Sequence, residues 1–188
     1  MTDEDASQDW VTAGLAELAK GGGVDSVRVE VLAERLGVTK GGFYRRFRDR
    51  RALLDAMLET WRDGRVAAIE RHAEEGGTTP AERIQSMIRL YTERANEQGM
   101  AIELAIRQWG RNDAMAAAAA AIVDAARLKT SSSLYRSLGF SARDADARAV
   151  LFYAFLFGQS MMFLDEGPRK RASLIAACTR VLMEIEQK

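Results

Sequence analysis

Residues 28–54 read Arg28-Val-Glu-Val-Leu-Ala-Glu-Arg-Leu-Gly37-Val-Thr-Lys-Gly-Gly-Phe-Tyr-Arg-Arg-Phe-Arg-Asp-Arg-Arg-Ala-Leu-Leu54. The pattern predicts two short helices, roughly 28–36 and 39–47, hinged at Gly37, with a third starting just past Asp49. This is a helix-turn-helix with a strongly basic second helix. Between Arg35 and Arg51 the segment carries Arg35, Lys40, Arg45, Arg46, Arg48, Arg50 and Arg51 against the single acid Asp49, whereas the whole chain balances 27 Lys and Arg against 27 Asp and Glu. Cations that reach phosphates together release counterions together, so the local excess matters more for nucleic-acid affinity than the neutral total.

The spacing of Leu32-Ala33, Leu36, Gly37-Val38-Thr39, Lys40-Gly41-Gly42-Phe43-Tyr44 and Phe47 resembles the DNA-binding head of the tetracycline-repressor (TetR) family of bacterial regulators. The resemblance spans roughly residues 9–60. It departs from the family pattern in three places. Gly42 stands where the family has Ser or Thr, Arg45 and Arg46 stand where it has aromatic residues or His, and Arg28 occupies a position often held by a capping Thr. The two arginines strengthen contact with phosphate or guanine, and Ser26 is a nearby candidate cap.

The residues assigned to DNA are Arg28, Thr39, Lys40, Gly41, Gly42, Tyr44, Arg45, Arg46 and Arg50, on or beside the recognition helix. The bland alternative is a solvated charged face. The paired glycines weigh against it, because they permit close approach of the backbone. Phe43 and Phe47, four residues apart on one helical face, are read as anchors to the head's core.

Outward from this segment the pattern is helical, with two prolines and no extended period-2 alternation. The fold is expected to be all-α, with about nine helices: a head of residues 1–54 and a helical-bundle body of residues 55–188. Helix one is expected from about Gln8 to Lys20, ending at Gly21-Gly22-Gly23, and a long helix from Arg50 to about Glu75 follows Asp49 as cap. Thr79-Pro80-Ala81-Glu82 is a capping box with proline at the first helical position, opening a helix that Gly99 ends. Later helices are placed at Met100 to Trp109, past Asn112-Asp113 to about Leu138, from Ser141 onward, and after Gly167-Pro168 to about Glu186.

The chemistry needed for catalysis is missing from the pattern. His72 is the sole histidine and Cys178 the sole cysteine, so the usual zinc spacings are excluded and no cofactor or metal is expected. The acids, as in Glu82-Arg83 and Asp144 with Arg148, are read as solvated ion pairs, and an enzyme of helical-bundle type is disfavoured. Ala149 to Leu164 is interrupted by Gly158, Gln159 and Ser160 and falls short of the roughly 20 residues a bilayer needs. The acidic N-terminus lacks the parts of a signal peptide, so a cytoplasmic protein without membrane attachment is expected.

The resemblance also implies an effector pocket among helices four to eight. Trp61, Trp109, Tyr135 and Tyr153, each with a polar tip, are the first candidates for it, joined by Met115, Phe157 and Met161. The same side chains suit a solid core equally well, the alternative being an effector-independent DNA-binding or protein-interaction module. By resemblance the protein is a homodimeric regulator, a repressor on a near-palindromic double-stranded operator, released by a small, mostly apolar effector. Its interface would pair helices eight and nine through Leu151 to Leu164, Leu174, Ile175, Val181, Leu182 and Ile185.

Overall fold

The computed structural model describes residues 3–92, 97–161 and 167–183. Nine α-helices are found among them and no strand: α1 Asp3–Glu17, α2 Val29–Leu36, α3 Lys40–Tyr44, α4 Arg50–Glu75, α5 Pro80–Thr92, α6 Glu97–Trp109, α7 Ala114–Ser137, α8 Ala142–Met161 and α9 Pro168–Met183. The expected all-α architecture is the one observed. Among the described residues no helix is long and apolar enough to cross a membrane.

The helix starts follow the capping residues. Asp49 Oδ1 accepts from Ala52 N at 2.9 Å at the head of α4, and Asp113 Oδ1 accepts from Ala116 N at 3.0 Å at the head of α7. Ser141 Oγ accepts from Asp144 N at 3.2 Å and donates to the Asp144 carboxylate at 2.6 Å. Asp144, read from spacing as a surface ion pair, therefore serves a cap. Ser26 caps nothing: its hydroxyl donates back to Gly23 O at 2.8 Å, and Arg28 sits at the N-cap of α2 without a side-chain cap bond.

Some boundaries differ from those read in the sequence, and one expected break is present. The helix after Pro80 is described as far as Thr92, and Gly99, expected to stop it, is buried inside α6, its carbonyl accepting from Arg65 Nη2 at 2.7 Å. The first helix passes through a π-helical turn over Leu18–Gly22 and leaves the helical conformation at Gly21, φ 88°, so the expected glycine break is formed. The recognition helix closes at Tyr44 rather than near Phe47, with the chain continuing as a turn in which Arg46 N bonds Phe43 O at 2.8 Å. Two of its five residues are glycine, which weakens helix propagation.

The chain divides into two compact units. The first comprises Met1–Arg65 and Asn96–Val123, thus the head, the start of α4, α6 and the first part of α7. Here α1 packs on α2 and α2 on α3, and α6 packs against the π turn. Gly14 allows the close approach of α1 to α4, since a Cβ there would lie 2.6 Å from Met57 Sδ. Gly37 takes the left-handed conformation, φ 65°, and its N–H closes on Ala33 O and Glu34 O, which turns α2 into the recognition segment.

The second unit comprises Val66–Ala95 and Asp124–Lys188. Its core gathers Ile84, Met87 and Ile88 of α5, Tyr135 of α7, Phe152 and Leu156 of α8 and Leu182 of α9. The expected capping box is formed. Glu82 N bonds Thr79 Oγ1 at 3.2 Å, while Glu82 Oε2 accepts from Thr79 N at 3.0 Å and from Thr78 N and Oγ1, both at 2.8 Å. The hydrogen bonds from Thr78, followed by those from Thr79, lower the Glu82 carboxyl from 4.5 to about 2.

Because folding depresses this pKa, the stabilising contribution is complete above pH 4.5 and is lost as pH falls through about 2. The melting-temperature advantage of wild type over Glu82→Gln, followed by circular dichroism, should narrow across that interval. A constant difference would remove the carboxylate from the cap.

Candidate nucleic-acid interface

Phe43 places the recognition segment. Its ring is fully buried, meets Trp10 edge-on at a centroid distance of 5.2 Å, and stacks on Phe47 at 5.5 Å. Both phenylalanines are core residues, as their spacing suggested. With that face pinned inward, Tyr44 turns out and is 61% exposed, its ring braced edge-on against Phe43 at 5.1 Å. Thr39, Lys40, Gly41 and Arg45 share the exposed side. A Cβ on Gly41 would meet only Thr39 Oγ1 at 3.6 Å, and one on Gly42 nothing closer than 4.0 Å, so the protein itself does not require glycine there.

The arginines separate into distinct roles. Arg50, assigned from sequence to DNA, donates from Nε to Val27 O at 2.7 Å and from Nη2 to Val24 O, tying the start of α4 to the segment before α2. In the free chain this guanidinium braces the head. Arg46 is half-buried and donates from Nη1 to Gly42 O at 2.8 Å, closing the C-terminal end of α3. Arg51 pairs with Asp113, and the exposed Arg48 pairs with Asp49 at 3.1 Å. Arg28 and Arg45 are both exposed.

Lys40 Nζ lies 2.6 Å from Glu30 Oε1 across the helix-turn-helix. The lysine's hydrogen bond is the main cause that holds the Glu30 carboxyl below its usual range, with Arg28 adding a smaller Coulombic effect. Both side chains are well exposed, so a phosphate competes for Lys40 in solvent. The face can therefore present Lys40, Tyr44, Arg45 and Arg28 to an anionic backbone, with bare glycine backbone between them.

The candidates for an effector pocket fall in two places. Trp61, Trp109 and Met115 belong to the first unit, and Tyr135, Tyr153, Phe157 and Met161 to the second. The two tryptophans, Tyr135 and Tyr153 are buried, and Phe157 is partly buried. Met115 and Met161 are 55% and 67% exposed, so neither is enclosed within its unit. The Tyr135 hydroxyl is buried without a hydrogen-bond partner among the described residues, and burial raises its pKa to about 12.

Sequence reasoning missed Arg127. Its side chain is 1% exposed, lies 3.5 Å from Asp124 Oδ1, and has its guanidinium carbon 5.7 Å and 5.4 Å from the ring centroids of Tyr153 and Phe157. Ser131 and Tyr135 follow it at successive four-residue intervals, so all three share one face of α7. That spacing was available in the sequence. Among the described residues no group of His, Cys, Asp and Glu is arranged to hold a metal ion.

The family described as "Bacterial regulatory proteins, tetR family" matches residues 11–57. That match lies within the head. Over nearly its whole length it also has the fold of a protein described as a TetR-family transcriptional regulator from Rhodococcus sp., with 23% identity, TM-score 0.70, and coverage of 98% of this chain and 100% of that one. A second so described, from Mesorhizobium loti MAFF303099, gives 16% identity and TM-score 0.73 over 97% and 95% of the two chains. The same fold occurs in superantigen PfiT, at 20% identity and TM-score 0.72 over the full length of both chains. No curated protein matches significantly. The family match of residues 11–57 thus bears on function more directly than the shared fold does, because one fold serves several activities.

Phe47→Ala should lower the stability of the unit holding the head by about 3 kcal/mol through loss of a buried ring. Arg50→Gln should also lower the melting temperature, because it frees two backbone carbonyls. Tyr44→Ala and Arg45→Ala should melt like wild type while weakening DNA binding. Melting curves beside fluorescence-anisotropy titrations distinguish the classes, and a stable Arg50→Gln with lost affinity would return that residue to the DNA face.

Proposed function

We propose that this chain is a DNA-binding transcriptional regulator, a repressor that binds a near-palindromic operator as a homodimer and is released by a small, mostly apolar effector. The observation that carries the reading is the face of α3. Tyr44 is exposed beside Lys40 and Arg45, on a helix whose opposite side is locked into the core by Phe43. In this reading residues 1–54 read DNA and residues 55–188 bind effector and partner in the cytoplasm. The family match of residues 11–57 and the regulator-type fold support it, and give no ground for an enzyme.

A dimer is supported by apolar side chains left exposed on the last two helices. Val150 and Leu151 of α8 are 54% and 59% exposed, and Val181 of α9 is 64% exposed. Leu174 is exposed too, whereas Leu182 is buried in the unit's own core and Ile175 is partly buried. Met162, Phe163, Leu164 and Ile185, also counted toward the interface, lie outside the described residues. The effector part draws on the aromatic surroundings of Arg127. The rival reading, a solid body without effector, draws on Tyr135 and Tyr153 being members of the core cluster.

Selection of genomic fragments with the purified protein would identify the operator. Binding should weaken steeply with salt, and a single half-site should bind at least about tenfold more weakly than the palindrome, because two heads act together. Equal affinity for whole and half operators at one salt concentration would exclude the dimeric reading. A compound that stabilises the protein thermally should lower operator affinity, and Trp109→Ala or Tyr153→Ala should blunt that response more than DNA binding itself. If no stabilising compound changes operator affinity, the effector-independent module is the better description.

A further inference from the structure

The first residues of α4 grip in two directions. Arg50 holds the carbonyls of Val24 and Val27 within the head, and Arg51, its neighbour, reaches the corner between α6 and α7. Arg51 Nη1 lies 2.5 Å from Asp113 Oδ2, while Arg51 Nε bonds Asp55 Oδ1 at 2.8 Å. The other oxygen of Asp113 accepts from Met115 N at 2.9 Å and Ala116 N at 3.0 Å. One carboxylate therefore caps the start of α7 and holds α4 at once.

The corner that carries Asp113 is closely packed. Gly110 N bonds Ile106 O at 2.8 Å and Asn112 N bonds Trp109 O at 3.1 Å, so the turn continues the hydrogen bonding of α6. A Cβ on Gly110 would stand 3.1 Å from the backbone of Ala117. The Asp113 side chain is only 18% exposed and that of Arg51 41%, which shields their ionic bond more than a free surface pair. Each stabilises the other's charge: the hydrogen bond from Arg51 is the main cause lowering the Asp113 carboxyl, and Asp113 in turn raises Arg51.

We propose that Asp113 is a positioning residue for operator recognition: through Arg51 it fixes the angle at which the α6–α7 corner holds the helix-turn-helix, and so the separation of the two heads of a dimer. This rests on the reading above, that the chain binds a two-fold operator. The geometry favours positioning over direct contact, because Asp113 carries the wrong charge for phosphate and is engaged on both oxygens. It also gives the adjacent arginines complementary tasks, Arg50 stiffening the head and Arg51 setting its orientation.

The test uses the full chain and synthetic operators built on the selected sequence, with the half-sites moved apart or together by one base pair. Asp113→Asn retains an N-cap oxygen and removes the charge. Wild type should prefer one spacing about tenfold, whereas Asp113→Asn should prefer it by less than about threefold, at unchanged affinity for an isolated half-site. Arg51→Gln, which leaves the α7 cap untouched, should flatten the profile in the same way, and Asp55→Asn should leave it as in wild type. A purely stabilising pair would lower the melting temperature and leave the spacing profile superimposable on wild type, which overturns the proposal. A wild-type protein without any spacing preference would instead overturn the two-fold operator reading on which it rests.

Discussion

The burial of Phe43 is the contact on which the candidate interface depends. Alone, five residues containing two glycines would not hold a helix, because nucleation costs more than so few hydrogen bonds return. The ring of Phe43 between Trp10 and Phe47 supplies the missing stabilisation and fixes the helix rotation. The outward direction of Tyr44 follows from that rotation, and the exposed flank of Lys40 and Arg45 follows with it. Packing inside the head and contact outside it are thus two faces of one short segment.

The arginines show how much a charge count depends on where each guanidinium ends. Counterion release counts only cations that reach phosphates. Of the basic run, Arg50 is committed to backbone carbonyls, Arg51 to an aspartate and Arg46 to the end of its own helix. These bonds make the head stiff, and a stiff head loses less freedom when it docks. Charge that looked like affinity is in part rigidity.

Buried charges organise the interior of both units. In the first, Glu103 is 1% exposed and takes Arg107 Nη2 at 2.9 Å, with Arg65 Nε at 3.7 Å. In the second, Arg127 is equally buried beside Tyr153 and Phe157. Isolated charges at such depth are costly, and removing one partner is costlier still, so each fixes the helices that surround it. Ser131, which donates to the Tyr153 hydroxyl at 3.4 Å, adds a weak polar link between α7 and α8 near Arg127.

The sequence by itself determined the helices, most of their caps and the helix-turn-helix, because these depend on neighbours within four residues. Asp49, Thr79, Glu82, Asp113 and Ser141 act where local spacing put them. Tertiary structure alone decided the fate of the long side chains. Arg50 bonds carbonyls 23 and 26 residues away, and Arg51 an acid 62 residues away, distances over which helical periodicity carries no information. Periodicity also gives a residue's face without saying what lies opposite it, so the burial of Arg127 and the exposure of Met115 and Met161 are visible only in the fold. A backbone pattern repeats locally, whereas a guanidinium or thioether at the end of several rotatable bonds takes its place from whatever the fold brings near.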